Sequence, residues 1–292
     1  MILITGSAGK TGRAIIRVLE NCKEPVRALV HRKDQVASLA ALGVEDVLVG
    51  DMLDPASFPQ AVQGIRAIYH IAPNVSPDEL IIGKAVIGAA QSAGVEHIVF
   101  HSVLHPQIEA MPHHWQKLRV EQLLFESGLP NTILQPTVYM QNVLSQWDKI
   151  LDDGIYALPY APETRLSQVD LEDVAQVAAI VLTEPGHQGA AYELVGTPAM
   201  SQIEISELLG EQLNRPVEVK TVPFEEWERA ARASGLGDYQ VSTLIKMFKY
   251  YERYGFFGNS QAMSCLLRRQ PTSFADFIKR IKSERQNDHR VG

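Results

Sequence analysis

Short apolar runs alternate with helical patterns over the first half of the chain, and no other feature limits the fold as much. The run Ile2 to Ile4 and the segments "VRALVH", "VEDVLVGD", "IRAIYHI", "EHIVFHSV" and "NTILQPT" have the length and β-branched content of strands. A pattern of Ile15, Ile16 and Leu19, then "KDQVASLAALG", "PASFPQAVQG", "LIIGKAVIGAAQSAG" and "WQKLRVEQLLFESG", carry helical periodicity between them, and the last four end at glycine. Strand and helix in turn imply parallel βαβ units. With right-handed crossovers these build a doubly wound parallel sheet of the Rossmann type, an α/β fold whose ligand crevice lies at the carboxyl ends of the strands.

Beyond about Asn142 the rhythm changes. "LDDGIYALPYAPETRLSQ" is rich in turn formers, "VDLEDVAQVAAIVL" reads as a helix begun by an aspartate cap, and "AAYELVG" reads as one more strand. From Thr197 onward helical patterns dominate: "SQIEISELLGEQLN", "TVPFEEWERAARASG", "YQVSTLIKMFKYYERYG" and "PTSFADFIKRIKSE". The expected organisation is a dinucleotide-binding domain over 1–150, to which 165–196 returns. A smaller, mostly helical C-terminal lobe over 197–292, with 151–164 contributing, covers the substrate. "ERQNDHRVG" is expected to be a frayed tail.

The first loop carries the clearest chemical signal. In "MILITGSAGKTGRAII" a strand delivers Gly6, Gly9 and Gly12, with Lys10 and Thr11 between the last two, to a helix N-terminus. Unpaired N–H groups and the positive end of the helix dipole favour a phosphate there, provided that no side chain blocks its approach. Gly6 and Gly9 would permit the turn and the close approach, and Gly12 the packing of helix on strand. The spacing is G-x-x-G-x-x-G, and the alternative is a glycine-rich turn with no ligand. The G-x-x-x-x-G-K-[ST] spacing of a P-loop is absent.

A chain of 292 residues, 46% hydrophobic and 21% charged, has the composition of a soluble globule with a large core. A formal net charge of -7 gives no electrostatic reason to expect nucleic acid or an anionic membrane as partner. Cys22 and Cys265 are distant and lack metal-site spacing. Without a leader or an apolar run of spanning length, the expectation is a cytoplasmic protein with a small-molecule substrate.

Taken in order, "ITGSAGKTG", "VLVGDMLDPASFPQAVQG", "HIVFHSV", "KLRVEQLLFESGLPNTILQPTVYMQN", "VDLEDVA" and "YELVGTPAMSQIEISELLG" resemble the NmrA-like branch of atypical short-chain dehydrogenase/reductase proteins. The resemblance covers most of the chain. It implies a Rossmann fold that binds NAD(P), in a branch that includes quinone and dye reductases, isoflavone-reductase-like enzymes and dinucleotide-binding regulators. NAD-specific sites usually end the second strand with an acidic residue, whereas this strand ends in His31, Arg32 and Lys33. Arg32 could pair bidentately with a 2′-phosphate and Lys33 could add a point charge, so NADP(H) is the expected cofactor and NAD(H) the alternative. The other account of these residues is a solvated basic turn. The resemblance further places Asp51 beside the adenine, with Met52 covering the ring, while topology puts Ile71, Ala72, Pro73 and Asn74 where backbone passes the cofactor ribose.

Typical short-chain dehydrogenases use a Tyr-x-x-x-Lys pair on one helix face, with a serine after the preceding strand. This chain offers Ser102 and Lys117, with His113 four residues before the lysine and Pro112 leaving its place on the helix open. "K-x-x-x-E" from Lys117 to Glu121 resembles isoflavone-reductase-like relatives, in which a lysine works without tyrosine. Lys117 is therefore the leading catalytic candidate, as ribose clamp or proton donor; its alternative is a surface lysine paired with Glu121. The resemblance also places Tyr139, Met140 and Asn142 in the substrate pocket.

Six of nine histidines fall between His70 and His114. His97, His101 and His105 straddle a strand and its loop, where a spacing of four does not converge, so no metal is expected. An imidazole-lined pocket for a polar carbonyl or quinone is the expected use. Tyr250, Tyr251, Tyr254, Phe256 and Phe257 are suited to cover a flat substrate, to form a small-lobe core or to make a homodimer or protein-partner contact. Two functions compete: an NADPH-dependent reductase of a small conjugated carbonyl or quinone, and a dinucleotide-sensing regulator that lacks turnover. A nucleotide-sugar epimerase, dependent on the missing tyrosine, fits less well.

Overall fold

The computed structural model describes residues 1–291, with side chains described through Arg285. Its first half follows the alternation of the sequence: β1 (Ile2–Ile4), α1 (Lys10–Asn21), β2 (Val26–Val30), α2 (Val36–Ala40), β3 (Asp46–Val49), α3 (Phe58–Ala61), β4 (Ala67–His70), α4 (Glu79–Ala93), β5 (His97–His101), α5 (Pro112–Glu126) and β6 (Asn131–Pro136). The chain continues through β7 (Val138–Tyr139), α6 (Trp147–Asp153), β8 (Ile155–Leu158), β9 (Arg165–Leu166) and β10 (Gln168–Val169). Then α7 (Leu171–Thr183) leads to β11 (Ala190–Leu194). Seven strands form the main sheet in the order β11-β6-β5-β4-β1-β2-β3, with β1 pairing in parallel with both β2 and β4. Strand order reverses at β1, so the crevice of this doubly wound sheet opens between the carboxyl ends of β1 and β4.

Leu3, Ile68, Ile98 and Phe100 on the sheet pack with Phe58, Ile82, Val86, Val120 and Leu124 from α3, α4 and α5 in one core cluster. Side chains alternate along a strand, so Ile2 and Ile4, both fully buried, face the opposite layer from Leu3. Helix α4 stops at Gly94, whose φ of 66° supplies the left-handed cap.

Two compact units emerge: 1–136 with 174–193, and 137–173 with 194–292. After β6 the chain pairs β7 with β10 inside the second unit, so 137–150 and 165–173, expected with the first domain, lie in the second. The second unit adds β12 (Met200–Ser201), α8 (Gln202–Leu213), β13 (Glu218–Thr221), α9 (Phe224–Ala233), α10 (Asp238–Tyr254), α11 (Gln261–Leu267) and α12 (Phe274–Val291). Ser201 and Glu204 close a capping box at the start of α8. Helix α12 continues to Val291 through most of the segment read as a tail, whose last residue, Gly292, lies outside the described residues. Among the described residues no helix is long and apolar enough to cross a membrane.

Candidate dinucleotide and active site

The glycine loop follows β1 as expected, and its three glycines are needed for different reasons. Gly6 has φ +60°, and a Cβ there would lie 2.8 Å from the Ile71 carbonyl oxygen. A Cβ on Gly12 would lie 2.6 Å from both the Gly6 oxygen and the Ser7 Cα, so this glycine lets α1 pack on the loop. Gly9 is the N-cap of α1, exposed and extended, with no side chain capping the helix. Among the described residues its Cβ would meet only the Gly6 oxygen, at 3.3 Å. The loop thus presents bare backbone at a helix N-terminus, which fits a phosphate group. Lys10 and Thr11 open the helix behind it.

Residues outside the glycine motif hold this loop in place. The Ser7 hydroxyl donates to the Leu29 carbonyl at 2.7 Å, and Arg13 Nε donates to the Ala8 carbonyl at 3.0 Å while its guanidinium reaches Ser38 Oγ at 2.6 Å. Thr5 Oγ1 donates to the Ile71 carbonyl at 3.1 Å, accepts from the Ile71 N–H at 2.9 Å and lies 2.9 Å from His70 Nδ1. The crevice is thereby tied across its two walls. Nothing in the spacing of Thr5 or Arg13 announces these roles.

At the end of β2, His31, Arg32 and Lys33 are exposed. Arg32 forms a two-pronged pair with Asp34, both contacts at 3.0 Å. Asp51 lies two residues beyond β3, with its Oδ1 accepting from the Leu53 N–H at 2.9 Å, and Met52 follows, partly buried. Asp54 caps the next turn through the Ala56 N–H. Ile71, Ala72, Pro73 and Asn74 leave β4 toward α4, with Pro73 and Asn74 exposed.

The catalytic candidates converge at the carboxyl end of β5, and two carboxylates divide them. Lys117 Nζ donates to Glu79 Oε1 at 2.8 Å and to the His101 carbonyl at 3.2 Å, and it sits 5.2 Å above the Phe100 ring. The pair is nearly withdrawn from solvent, with side-chain exposures of 16% for Lys117 and 4% for Glu79. The alternative of a surface lysine paired with Glu121 is therefore corrected. Glu121 instead accepts from the Ser102 hydroxyl and from Gln135 Nε2 at 3.0 Å. Burial pushes the Glu121 carboxyl up, against the pull of its hydrogen bonds to Ser102 and Gln135.

His113 lies on the first turn of α5, because Pro112 occupies a position where its fixed φ suits the helix and its missing N–H costs nothing. Burial, aided by the Lys117 charge, pushes its imidazole down to about 4, so it is neutral at neutral pH. His70 and His101 are buried and are pushed down to about 3 by the same causes. His101 Nδ1 lies 2.7 Å from the Tyr69 hydroxyl, and His70 stacks on Phe100. The expected imidazole-lined pocket is corrected here: His70, His101 and His114 are core side chains, held neutral by burial. Among the described residues no three potential metal ligands converge.

These neutral histidines predict acid sensitivity. Their folded pKa values lie below the unfolded value near 6.5, so the unfolded chain takes up protons that the folded chain refuses, and stability falls as pH drops from 6.5 toward 3. Between pH 7 and 5, His70 and His101 should each withdraw about 2 kcal/mol of stability. Urea unfolding at the two pH values checks this, and a free energy that does not change would refute it.

Tyr139, Met140 and Asn142 fall in the second unit, where Met140 is fully buried, Tyr139 partly buried and Asn142 exposed. The late aromatics divide. Tyr251 and Phe256 are buried against each other with ring centres 4.9 Å apart, whereas Tyr254 and Phe257 are each 55% exposed.

Comparison with known proteins places these observations in a group. The sequence profile of the NmrA-like family matches residues 1–278. The chain is 30% identical over 281 residues to an NAD(P)H azoreductase of Xenophilus azovorans, covering 96% of this chain and 97% of that protein. It is 26% identical to quinone oxidoreductase 2 of Escherichia coli K12 over 96% of this chain and 98% of that one. An Escherichia coli NADPH-dependent quinone oxidoreductase, solved in complex with NADPH, superposes with a TM-score of 0.83 at 27% identity, over 96% of this chain and 99% of that one.

Proposed function

The chain belongs to the NmrA-like family, and on that footing we propose that it is an NADPH-dependent reductase of a small conjugated carbonyl or quinone. One observation carries the reading: a largely buried Lys117 ammonium fixed at the carboxyl end of β5. Among the described residues two of its three protons are committed, to Glu79 and the His101 carbonyl, and the third would serve a cofactor ribose hydroxyl or the oxygen of a substrate. A dinucleotide held by the glycine loop would supply the hydride. Lys117 would bear on the oxygen that gains negative charge as the acceptor is reduced, where a fixed donor out of water acts most strongly. Ser102, whose proton is given to Glu121, would orient by accepting a hydrogen bond. His113, neutral at working pH, would not serve as the cationic proton source. The azoreductase and quinone oxidoreductase names among the relatives agree in reaction class.

A second reading, a dinucleotide sensor without turnover, is favoured by the histidine standing four residues before Lys117 where reductases of the wider class carry tyrosine. Anaerobic NADPH oxidation against a panel of quinones, enones and azo dyes, beside calorimetry of NADPH and NADH, separates the two. Tight binding with no oxidation in any acceptor would select the sensor.

For the cofactor we propose NADPH over NADH, with Arg32 as the main determinant. The Arg32–Asp34 pair is exposed and therefore weak, so the guanidinium is free to turn to a 2′-phosphate. Arg32→Ala should weaken NADPH roughly ten- to a hundredfold and leave NADH nearly unchanged. Equal losses for both cofactors in calorimetry would remove Arg32 from the specificity determinants.

A further inference from the structure

We propose that Glu79 is the positioning residue of the active site: it fixes the Lys117 ammonium from a different helix, and hydride transfer depends on it through Lys117. Glu79 is the first residue of α4, where the helix N-terminus favours a negative charge, and its side chain is 4% exposed. Lys117 reaches it from α5, 38 positions later in the sequence, at 2.8 Å. A lysine carries its charge on a flexible four-carbon stem, so one hydrogen bond does not define where its nitrogen lies. Without Glu79 the only hydrogen bond left to it among the described residues is the longer one to the His101 carbonyl, at 3.2 Å. The Phe100 face attracts the cation and does not orient its protons. The carboxylate thus supplies both the second anchor that sets direction and the counter-charge that permits an ammonium in a nearly dry place. Glu121, the acid at helical spacing from Lys117, is occupied by Ser102 and Gln135 and does not replace it.

The kinetic arm of the test rests on the reductase reading above; the labelling arm does not. Glu79→Gln, Lys117→Met and the double variant are compared with the wild type in single-turnover quinone reduction at saturating NADPH, with folding followed by circular dichroism. Glu79→Gln should lower the rate by at least about tenfold while remaining folded. In the double variant the rate should equal that of Lys117→Met alone, because Glu79 has nothing left to position. In parallel, reductive methylation by formaldehyde and cyanoborohydride is read by peptide mass spectrometry. Lys117 should react several-fold faster in Glu79→Gln, while the exposed Lys84 of the same helix α4 should not change. A wild-type rate in Glu79→Gln, losses that multiply in the double variant, or unchanged labelling of Lys117 would overturn the proposal. If the wild type reduces no acceptor, the reductase reading fails and the labelling result alone decides the role of Glu79.

Discussion

Lys117→Met is expected to reduce single-turnover hydride transfer at saturating NADPH by at least about a hundredfold, the lower range for losing a positioned acid–base group. The substitution keeps the aliphatic stem over Phe100 and removes the ammonium that reaches Glu79 and the His101 carbonyl. It also leaves Glu79 buried without its counter-ion, a loss worth about 3–5 kcal/mol in comparable pairs. Activity must therefore be read on protein shown to be folded. Lys117→Met combined with Glu79→Gln removes the stranded charge, and it should recover stability without recovering rate. His113→Phe should lose far less, since its imidazole is neutral and gives up no cationic proton. A dead His113→Phe beside an active Lys117→Met would reverse the assignment.

Gly9→Val is expected to abolish dinucleotide binding in a protein that still folds. The steric argument is clean at this glycine alone. Its backbone is extended, with φ -74° and ψ 165°, which valine adopts without strain, and the space around it is open apart from the Gly6 oxygen. A branched side chain would stand where a phosphate meets the helix N-terminus. Gly6, at φ +60° and against the Ile71 carbonyl, would instead be strained by any side chain, so its loss would report on folding. Normal NADPH binding by Gly9→Val in calorimetry would reduce the loop to a turn.

The sheet was legible because each of its signals is local. Apolar runs, helical periodicity and caps such as Gly94, or Ser201 with Glu204, act over a few residues and agree with one another. The wiring of the candidate site was less legible because it is tertiary. Helical spacing pairs Lys117 with Glu121, yet the sheet brings α4 alongside α5 and offers Glu79, leaving Glu121 to Ser102. No spacing rule joins residues 38 apart on separate helices. The histidines show the same limit: their number near β4 and β5 is visible in the sequence, but it is burial that makes His70 and His101 neutral core residues. His113 on its helix turned on one local point, the tolerance of Pro112 for the first helical position.

The ties among Thr5, Ile71, Ser7, Leu29, Arg13 and Ala8 have a thermodynamic consequence for ligand capture. They spend ordering entropy during folding, once, so that a dinucleotide arriving at the loop would find little backbone left to freeze. Association at such a rigid cradle should be one kinetic phase, and differences in affinity among cofactor analogues should appear chiefly as differences in residence time. A ligand that binds only the folded chain also links occupancy to endurance: each tenfold excess of cofactor over its dissociation constant would add about 1.4 kcal/mol to the resistance of the fold against unfolding. A cell rich in the right cofactor would thereby keep this protein alive longer than one that is starved of it.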